Sequence, residues 1–161
     1  MSAATGSGIA WTASVRGDGR PLLLLHGFTG SGASWADHLD ALAANHRVIG
    51  ADLPGHGATP AAATLAAMTV EATADALADY LALEGASPAH VLGYSLGARI
   101  ALRLAVSHPE AVDRLVLESP SAGIADPQER ARRRAADEAL ADRIERDGIR
   151  FIPPFTKRLS S

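Results

Sequence analysis

A serine between two glycines is the residue of this sequence best suited to do chemistry. Gly93 lies two positions before Ser95, and Gly97 lies two positions after it. A serine in this pattern is a nucleophile when it occupies a sharp turn from a buried strand into a helix, where larger neighbours would not fit. The apolar run that ends at Gly93 predicts such a strand, and the residues from Leu96 onward predict an amphipathic helix. The context therefore favours a nucleophilic serine over a structural Gly-Ser turn.

A second glycine-containing segment begins with His26, Gly27 and Phe28, directly after another apolar run. Backbone N–H groups at this place can stabilise the negative charge that develops on a substrate oxygen. We predict the N–H groups of Phe28 and Leu96 as this oxyanion pair. For His26, and likewise for His56, a role in orienting the backbone through hydrogen bonds is favoured over catalysis.

Arginines are the candidate ligands for an anionic substrate. Arg99 lies four residues after Ser95, in the first turn of the predicted helix, where the helix dipole disfavours a cation. A cation kept there suits an anionic ligand, and the alternative is a surface salt bridge. Four more arginines share a later, highly charged segment: Arg130, Arg132, Arg133 and Arg134. At about 100° per residue they point in different directions, so only one or two would face Ser95 if this segment is a lid.

The groups that normally activate a serine are missing after Ser95. Enzymes with this serine pattern place a carboxylate and then a histidine later in the chain. The only histidine after Ser95 is His108, and it ends the predicted helix about three turns away, too far to act as the base. Glu118, at the end of a predicted strand, could replace the carboxylate, but it would have no histidine to orient.

The elements that must position these residues alternate between strand and helix. Buried strands are predicted at residues 22–25, 48–53, 89–93 and 115–117, after an edge hairpin that starts at Ile9. Helices are predicted at residues 35–43, 70–81, 96–108 and 127–147, with Thr69 and Asp126 as N-caps of the second and fourth. Such alternation predicts an α/β fold, in which a mostly parallel sheet is joined by right-handed crossovers and flanked by helices.

The composition agrees with this fold class and excludes several kinds of function. The chain has 161 residues, of which 47% are hydrophobic and only 4% aromatic, as suits helices packed on a sheet. A net charge of −3 leaves no global positive field for nucleic acid or an anionic membrane. The absence of cysteine excludes a thiolate nucleophile, a disulfide scaffold and a cysteine-based metal site. Because the N-terminus lacks the pattern of a signal peptide, we expect a soluble, cytoplasmic protein.

The motifs of this sequence resemble those of the α/β-hydrolase superfamily. They are LHGFTGS at residues 25–31, DLPGHG at 52–57 and GYSLGAR at 93–99. A narrower resemblance, to the 2-succinyl-6-hydroxy-2,4-cyclohexadiene-1-carboxylate synthases of menaquinone biosynthesis, rests on LVLES at 115–119, Gly123-Ile124, ERARR at 129–133 and the charged stretch 137–148. The likeness covers nearly everything from residue 9 to residue 149.

The resemblance implies a cofactor-free elimination of pyruvate from an enolpyruvyl polycarboxylate, begun by removal of a proton from a ring carbon. Ser95 would be the base, itself activated by a histidine. Arg99 and Arg133 would bind carboxylates of this small anionic substrate, and Tyr94 would help to shape the pocket. His26 is counted among the substrate-binding residues as well. Neither a metal, nucleic acid nor a membrane is expected as a partner.

The resemblance also divides the chain. Residues 1–118 would form the N-terminal part of the hydrolase core, 119–149 the start of a helical lid, and 150–161 a divergent tail whose composition suggests a reading-frame shift or a rearranged gene end. The family continues with an aromatic lid segment and two strands that bear the triad aspartate and histidine, so we expect a truncated, incomplete α/β-hydrolase fold. Strand 115–117 would then be an unprotected edge, and the chain is expected to aggregate, to self-associate through this edge or to be degraded.

Three functions stay open at this point. The chain is a lyase of the synthase family, inactive or impaired as it stands, or a serine ester hydrolase of the same fold, or a non-catalytic fragment that only binds an anionic ligand. Faster cleavage of a p-nitrophenyl ester than of the enolpyruvyl substrate would favour the hydrolase. Ligand binding without turnover would favour the third alternative.

Overall fold

The computed structural model of this protein describes residues 9–121 and 123–148. The chain divides into two compact units, Met1–Pro120 and Ser121–Ser161. The divergent tail expected at residues 150–161 lies outside the described residues. The division into core, lid and tail therefore stays a prediction.

The described part of the first unit contains one sheet of five strands, in the order β1-β3-β2-β4-β5. The strands are β1 (Ala13–Arg16), β2 (Arg20–Leu25), β3 (His46–Ala51), β4 (Ala89–Tyr94) and β5 (Val112–Glu118). The pairs β3–β2, β2–β4 and β4–β5 are parallel, and β1 pairs antiparallel with β3. The predicted α/β fold with a mostly parallel sheet is thereby confirmed.

The segment predicted as an edge hairpin forms an edge strand without the hairpin pairing. β1 lies at the edge of the sheet, but its partner is β3, with Ala13 opposite Ala51, and not the next strand along the chain. β2 instead pairs on both sides with parallel strands, and its leucines at positions 22–25 are at most 7% exposed. A run that is apolar at every position belongs in the middle of a sheet covered on both faces. This burial explains why β3 and β4, and not β1, flank β2.

Helices pack on both faces of the sheet in the first unit. The main core packs α2 (Val70–Leu83) and α3 (Leu96–Ser107) against one face, which carries Leu23 and Leu25. A smaller cluster on the other face joins Leu22 and Leu24 to the side of α1 (Ala36–Ala43). Because successive side chains of a strand point to opposite faces, the leucines of β2 lie alternately in the main core and in the smaller cluster.

The helix ends follow the capping residues that the sequence predicts. The Thr69 hydroxyl accepts the N–H of Ala72 at 3.2 Å and caps α2. In the second unit, Asp126 accepts the N–H of Gln128 at 2.8 Å and caps α4 (Pro127–Asp147). None of the helices in the described ranges is long and apolar enough to cross a membrane.

Candidate active site

Ser95 lies between the last residue of β4 and the first residue of α3, as predicted. Its φ of 52° is rare for a residue with a side chain. Its N–H donates to the carbonyl of Glu118 at 3.0 Å and joins the turn to the end of β5. Strained backbone of this kind collects at functional sites, where the surrounding structure holds it. The role of Ser95 as the reacting group stays a prediction.

Gly93 and Gly97 permit this turn because a side chain at either position would overlap the backbone. A Cβ on Gly93 would overlap the carbonyl of Gly97, and a Cβ on Gly97 would overlap the carbonyls of Leu25 and His26. The N–H of Gly97 donates to the His26 carbonyl at 3.1 Å. The start of α3 therefore packs directly on the end of β2, next to the loop that continues from it.

The N–H groups of Phe28 and Leu96 have no acceptor among the residues that the structure describes. Both belong to segments next to Ser95. A Cβ on Gly27 would lie 3.5 Å from the Ser95 Cβ and 3.0 Å from the Tyr94 ring, and Leu96 opens α3. Unpaired N–H groups of this kind are what an oxyanion pair requires. They are consistent with the predicted pair, whose role stays a prediction.

His26 holds the backbone with both ring nitrogens. Its Nδ1 donates to the Gly27 carbonyl at 2.8 Å, and its Nε2 accepts the N–H of Leu53 at 3.0 Å. The ring is therefore neutral, and burial lowers the pKa of His26. The orienting role favoured for His26 agrees with these contacts. Its placement among the substrate-binding residues stays a prediction, for a side chain that is 1% exposed and whose ring nitrogens both contact backbone groups.

The loop after β3 contributes two residues that complete this arrangement. Nδ1 of His56 lies 3.1 Å from the Pro54 carbonyl, and its Nε2 contacts the carbonyl of Phe28. The Asp52 carboxylate accepts the N–H groups of Gly32 at 2.7 Å and of Ala58 at 2.8 Å. Sequence reasoning did not select Asp52 for the site, and its place in the DLPGHG motif was the only available signal.

Arg99 is half-buried on α3, one turn after Ser95. Its side chain has no ion pair or hydrogen bond with residues 9–121 or 123–148, so the surface salt bridge weighed as an alternative is not found there. The guanidinium is therefore available for an anion. Tyr94, the last residue of β4, packs its ring against Gly27.

Arg133 lies in the second unit, on α4, and pairs with a carboxylate of its own helix. Its Nε is 2.8 Å and 2.9 Å from the two carboxylate oxygens of Asp137. Both side chains are more than half exposed, and exposed pairs of this spacing are weak. The predicted role of Arg133 as a substrate ligand stays a prediction.

All six histidines of the sequence lie within the described residues, and none is hydrogen-bonded to the Ser95 hydroxyl. His26 and His56 contact backbone groups, as above. The others lie at the starts of β3 and β4, on α1 and after α3: His46, His90, His38 and His108. His90 pairs with Asp113 and His108 with Asp75, at 3.1 Å and 2.7 Å. The described residues also contain no group of three His, Asp or Glu side chains that could hold a metal ion.

Comparison with known proteins gives a family match over most of the chain. The model of the alpha/beta hydrolase fold family matches residues 20–146. A Bacillus subtilis protein assigned as a 2-succinyl-6-hydroxy-2,4-cyclohexadiene-1-carboxylate synthase is 38% identical over 128 residues. These residues are 80% of this chain and 46% of that protein. The chain thus spans about half the length of this relative.

Esterases of the same fold are similar as well. A pimeloyl-(acyl-carrier protein) methyl ester esterase of Aeromonas hydrophila is 40% identical over 105 residues, which are 65% of this chain and 39% of that protein. The solved structure of a thermophilic esterase from Thermogutta terrifontis, with malate bound, superposes with a TM-score of 0.77 at 30% identity. The superposition covers 89% of this chain and 51% of the esterase.

Proposed function

The chain belongs to the α/β-hydrolase fold family, and from this premise we propose that it contributes the serine, the oxyanion amides and one anion-binding arginine of a pyruvate-eliminating lyase. The product would be 2-succinyl-6-hydroxy-2,4-cyclohexadiene-1-carboxylate. The observation that carries the proposal is Arg99, a half-buried cation one helical turn from Ser95, without an ion-pair partner in the described ranges. A polycarboxylate substrate needs such a cation beside the reacting serine, whereas a neutral ester does not. Similarity to the Bacillus subtilis synthase supports the same reaction.

The proposed reaction moves one proton and breaks one C–O bond. The Ser95 hydroxyl passes its proton to a histidine and takes a proton from a ring carbon of the substrate. The electron pair of the broken C–H bond forms a ring double bond and breaks the C–O bond, which releases the enolate of pyruvate. The methylene carbon of this enolate takes the proton from the histidinium, which gives pyruvate and restores the neutral histidine. The amides of Phe28 and Leu96 would stabilise the negative charge that develops on a substrate oxygen, and Arg99 would hold a carboxylate.

The chain by itself would be inactive or impaired in this reaction. A serine hydroxyl without a histidine is a poor base at neutral pH. None of the six histidines is hydrogen-bonded to Ser95 in the described residues. Binding of the anionic substrate would persist, because it relies on Arg99 and on backbone N–H groups.

A chimera tests the proposal directly. Residues 1–148 are joined to the part of the Bacillus subtilis synthase that they do not match, and pyruvate release from freshly made enolpyruvyl substrate is followed with a coupled assay. We expect turnover in the chimera that is lost in its Ser95→Ala variant. Arg99→Gln should raise KM by about tenfold, as expected for the loss of a charge-assisted hydrogen bond. A folded chimera without Ser95-dependent pyruvate release would refute the lyase.

A serine ester hydrolase is the second candidate, supported by the identity with the methyl ester esterase. The N–H groups of Phe28 and Leu96, which have no acceptor among the described residues, would stabilise the tetrahedral intermediate of ester cleavage equally well. Cleavage of a p-nitrophenyl ester by the same chimera, faster than pyruvate release, would select this function. Saturable binding of the substrate, with neither pyruvate release nor ester cleavage, would favour a non-catalytic fragment that only binds an anion.

A further inference from the structure

Two histidine rings hold the consecutive carbonyl groups of Gly27 and Phe28. Nδ1 of His26 donates to the Gly27 carbonyl at 2.8 Å, and the N–H of Gly30 donates to the same oxygen at 2.9 Å. Nε2 of His56 contacts the Phe28 carbonyl. The Gly27 carbonyl belongs to the peptide group that carries the N–H of Phe28. Because a trans peptide is planar, its N–H points away from its C=O, so fixing the carbonyl fixes the N–H.

Packing alone does not hold this loop. The side chain of Phe28 is 50% exposed, so little apolar burial restrains the peptide that follows it. The ring of His56 is itself held: it lies 5.1 Å from the His26 ring and 6.0 Å from the Phe28 ring, measured between centroids. Its other nitrogen, Nδ1, faces the carbonyl of Pro54. A hydrogen bond from a restrained ring is thus the main constraint on the carbonyl of Phe28.

The partners of His56 specify which nitrogen must carry a proton. Both ring nitrogens face carbonyl oxygens, which only accept hydrogen bonds. A hydrogen bond from Nε2 of His56 to the Phe28 carbonyl oxygen therefore requires a proton on Nε2. A ring with a second proton on Nδ1 would donate to Pro54 as well.

We propose that His56 is a positioning residue: its Nε2–H holds the Phe28 carbonyl, in the peptide group after Phe28, while His26 holds the Gly27 carbonyl, in the peptide group that carries the Phe28 N–H. The two rings thereby restrain Phe28 from both sides and keep its N–H directed beside Ser95. This inference rests on the proposed function, because it treats that N–H as an oxyanion donor. His56 does not touch the substrate or the reacting atoms in this role. Its contribution is to restrain the peptide group that follows Phe28 before an anion arrives.

The first test uses the unaltered full chain. Histidine labelled with ¹⁵N in the ring reports by NMR whether each nitrogen carries a proton, and the signals of His56 are assigned by their loss in His56→Gln. We expect a protonated Nε2. A bare Nε2 on His56 would overturn the proposal, whether or not any variant folds.

The second test measures the N–H of Phe28 with phenylalanine labelled on its backbone ¹⁵N. The chain has three phenylalanines, so the spectrum is simple, and Phe28→Leu identifies the signal. Acetate is the anion probe. We expect a saturable shift of the Phe28 signal, about tenfold weaker binding in His56→Leu, and recovery in His56→Gln, whose side-chain N–H reaches a similar distance.

The controls separate positioning from folding and from the proposed reaction. His38→Gln changes an exposed histidine of α1 and should leave the acetate response unchanged. Unchanged acetate binding in a folded His56→Leu, no recovery in His56→Gln, or no Phe28 shift in the unaltered chain would each overturn the proposal. Because neither test uses turnover, a chimera that releases no pyruvate would refute the lyase and leave the role of His56 standing.

Discussion

The backbone at Ser95 adopts a conformation that is unfavourable for every residue except glycine. A φ of 52° with a ψ of −106° costs about 1–3 kcal/mol for a residue with a Cβ. The surrounding contacts sustain it, since Ser95 donates to the carbonyl of Glu118 and both neighbouring glycines leave room for close backbone packing. The strained conformation therefore lowers the free energy of unfolding, and it fixes the position of the Ser95 hydroxyl.

This strain yields a prediction about stability. Ser95→Gly should raise the free energy of unfolding by about 1 kcal/mol, because glycine relieves the strained φ and ψ but adds backbone entropy to the unfolded chain. Ser95→Ala is the matched control: it removes the hydroxyl, keeps the strain and should be close to neutral. Urea unfolding of the three proteins measures the difference. A glycine variant no more stable than the alanine variant would contradict the argument.

The burial of His26 makes stability depend on pH. Its pKa in the folded protein is lowered from the ordinary value of 6.5 by burial, so below that value the unfolded chain binds more protons than the folded one. The stability due to neutral His26 is therefore complete above about pH 6.5 and is lost progressively as the pH falls from that value through the lowered pKa of the folded protein, with a slope of up to about 1.4 kcal/mol per pH unit. Urea unfolding at several pH values should give a shallower slope for His26→Gln than for the unaltered chain. The exposed His38→Gln should keep the original slope, and equal slopes in all three proteins would refute the prediction.

At the scale of elements, the sequence was informative wherever the determinant is local. The start of α2 follows from Thr69 and the helical spacing behind it, and the turn at Ser95 follows from two glycines at fixed distances. The partner of β1 could not be predicted, because the choice between β2 and β3 depends on which faces of β2 are buried by distant helices. β5 begins at Val112, before the predicted apolar run, because its first residues pair with β4 through the backbone although the side chains of Asp113 and Arg114 are exposed.

The candidate site shows the same limit. Ser95, Phe28 and Leu96 could be selected because short motifs mark them. The contacts of His56 with Phe28 and of Asp52 with Gly32 join segments 28 and 20 positions apart, and no local pattern reveals such a pairing. The DLPGHG motif drew attention to both residues without indicating what they bind.

The edge strand β5 leads to a prediction about assembly. It ends the described sheet, and Val116 on its outer face is 55% exposed, with Arg114 and Glu118 exposed on either side. Antiparallel pairing of two β5 strands centred on Val116 would place each Arg114 opposite a Glu118 of the second copy. We therefore expect a dimer with two such pairs, because opposite charges facing each other across strands are favourable.

Charge reversal tests this register. Arg114→Glu or Glu118→Arg alone should weaken the dimer by roughly tenfold or more, since each like-charge pair costs about 1 kcal/mol and the dimer has two. The double variant restores opposite charges and should dimerise like the unaltered chain. Sedimentation equilibrium gives the dissociation constants. A monomeric unaltered chain, or a double variant as weak as the single ones, would rule out this register.

At the scale of the whole molecule, the site is assembled from segments distributed along the entire first unit. The loop after β2 supplies Phe28, the loop after β3 supplies Asp52 and His56, the β4–α3 turn supplies Ser95, and the end of β5 accepts its N–H. All four segments follow the carboxyl ends of parallel strands, so the sheet gathers them at one edge. Positioning of the reacting groups therefore depends on the sheet as a whole and not on any single segment.

Assembly of this site without an activating histidine leads to the prediction for activity. Serine enzymes that lose their triad retain only about 10³- to 10⁴-fold catalysis over water, from the oxyanion donors and substrate binding. We expect the purified chain to release pyruvate at or near the rate in buffer, and Ser95→Ala to change this rate little, because the hydroxyl is not activated. Coupled pyruvate detection on freshly made substrate compares chain, variant and buffer. Robust turnover that depends on Ser95 would show that a histidine of this chain reaches the hydroxyl after all. His56 would be the first to test, because both nitrogens of His26 are committed to the backbone within a buried ring.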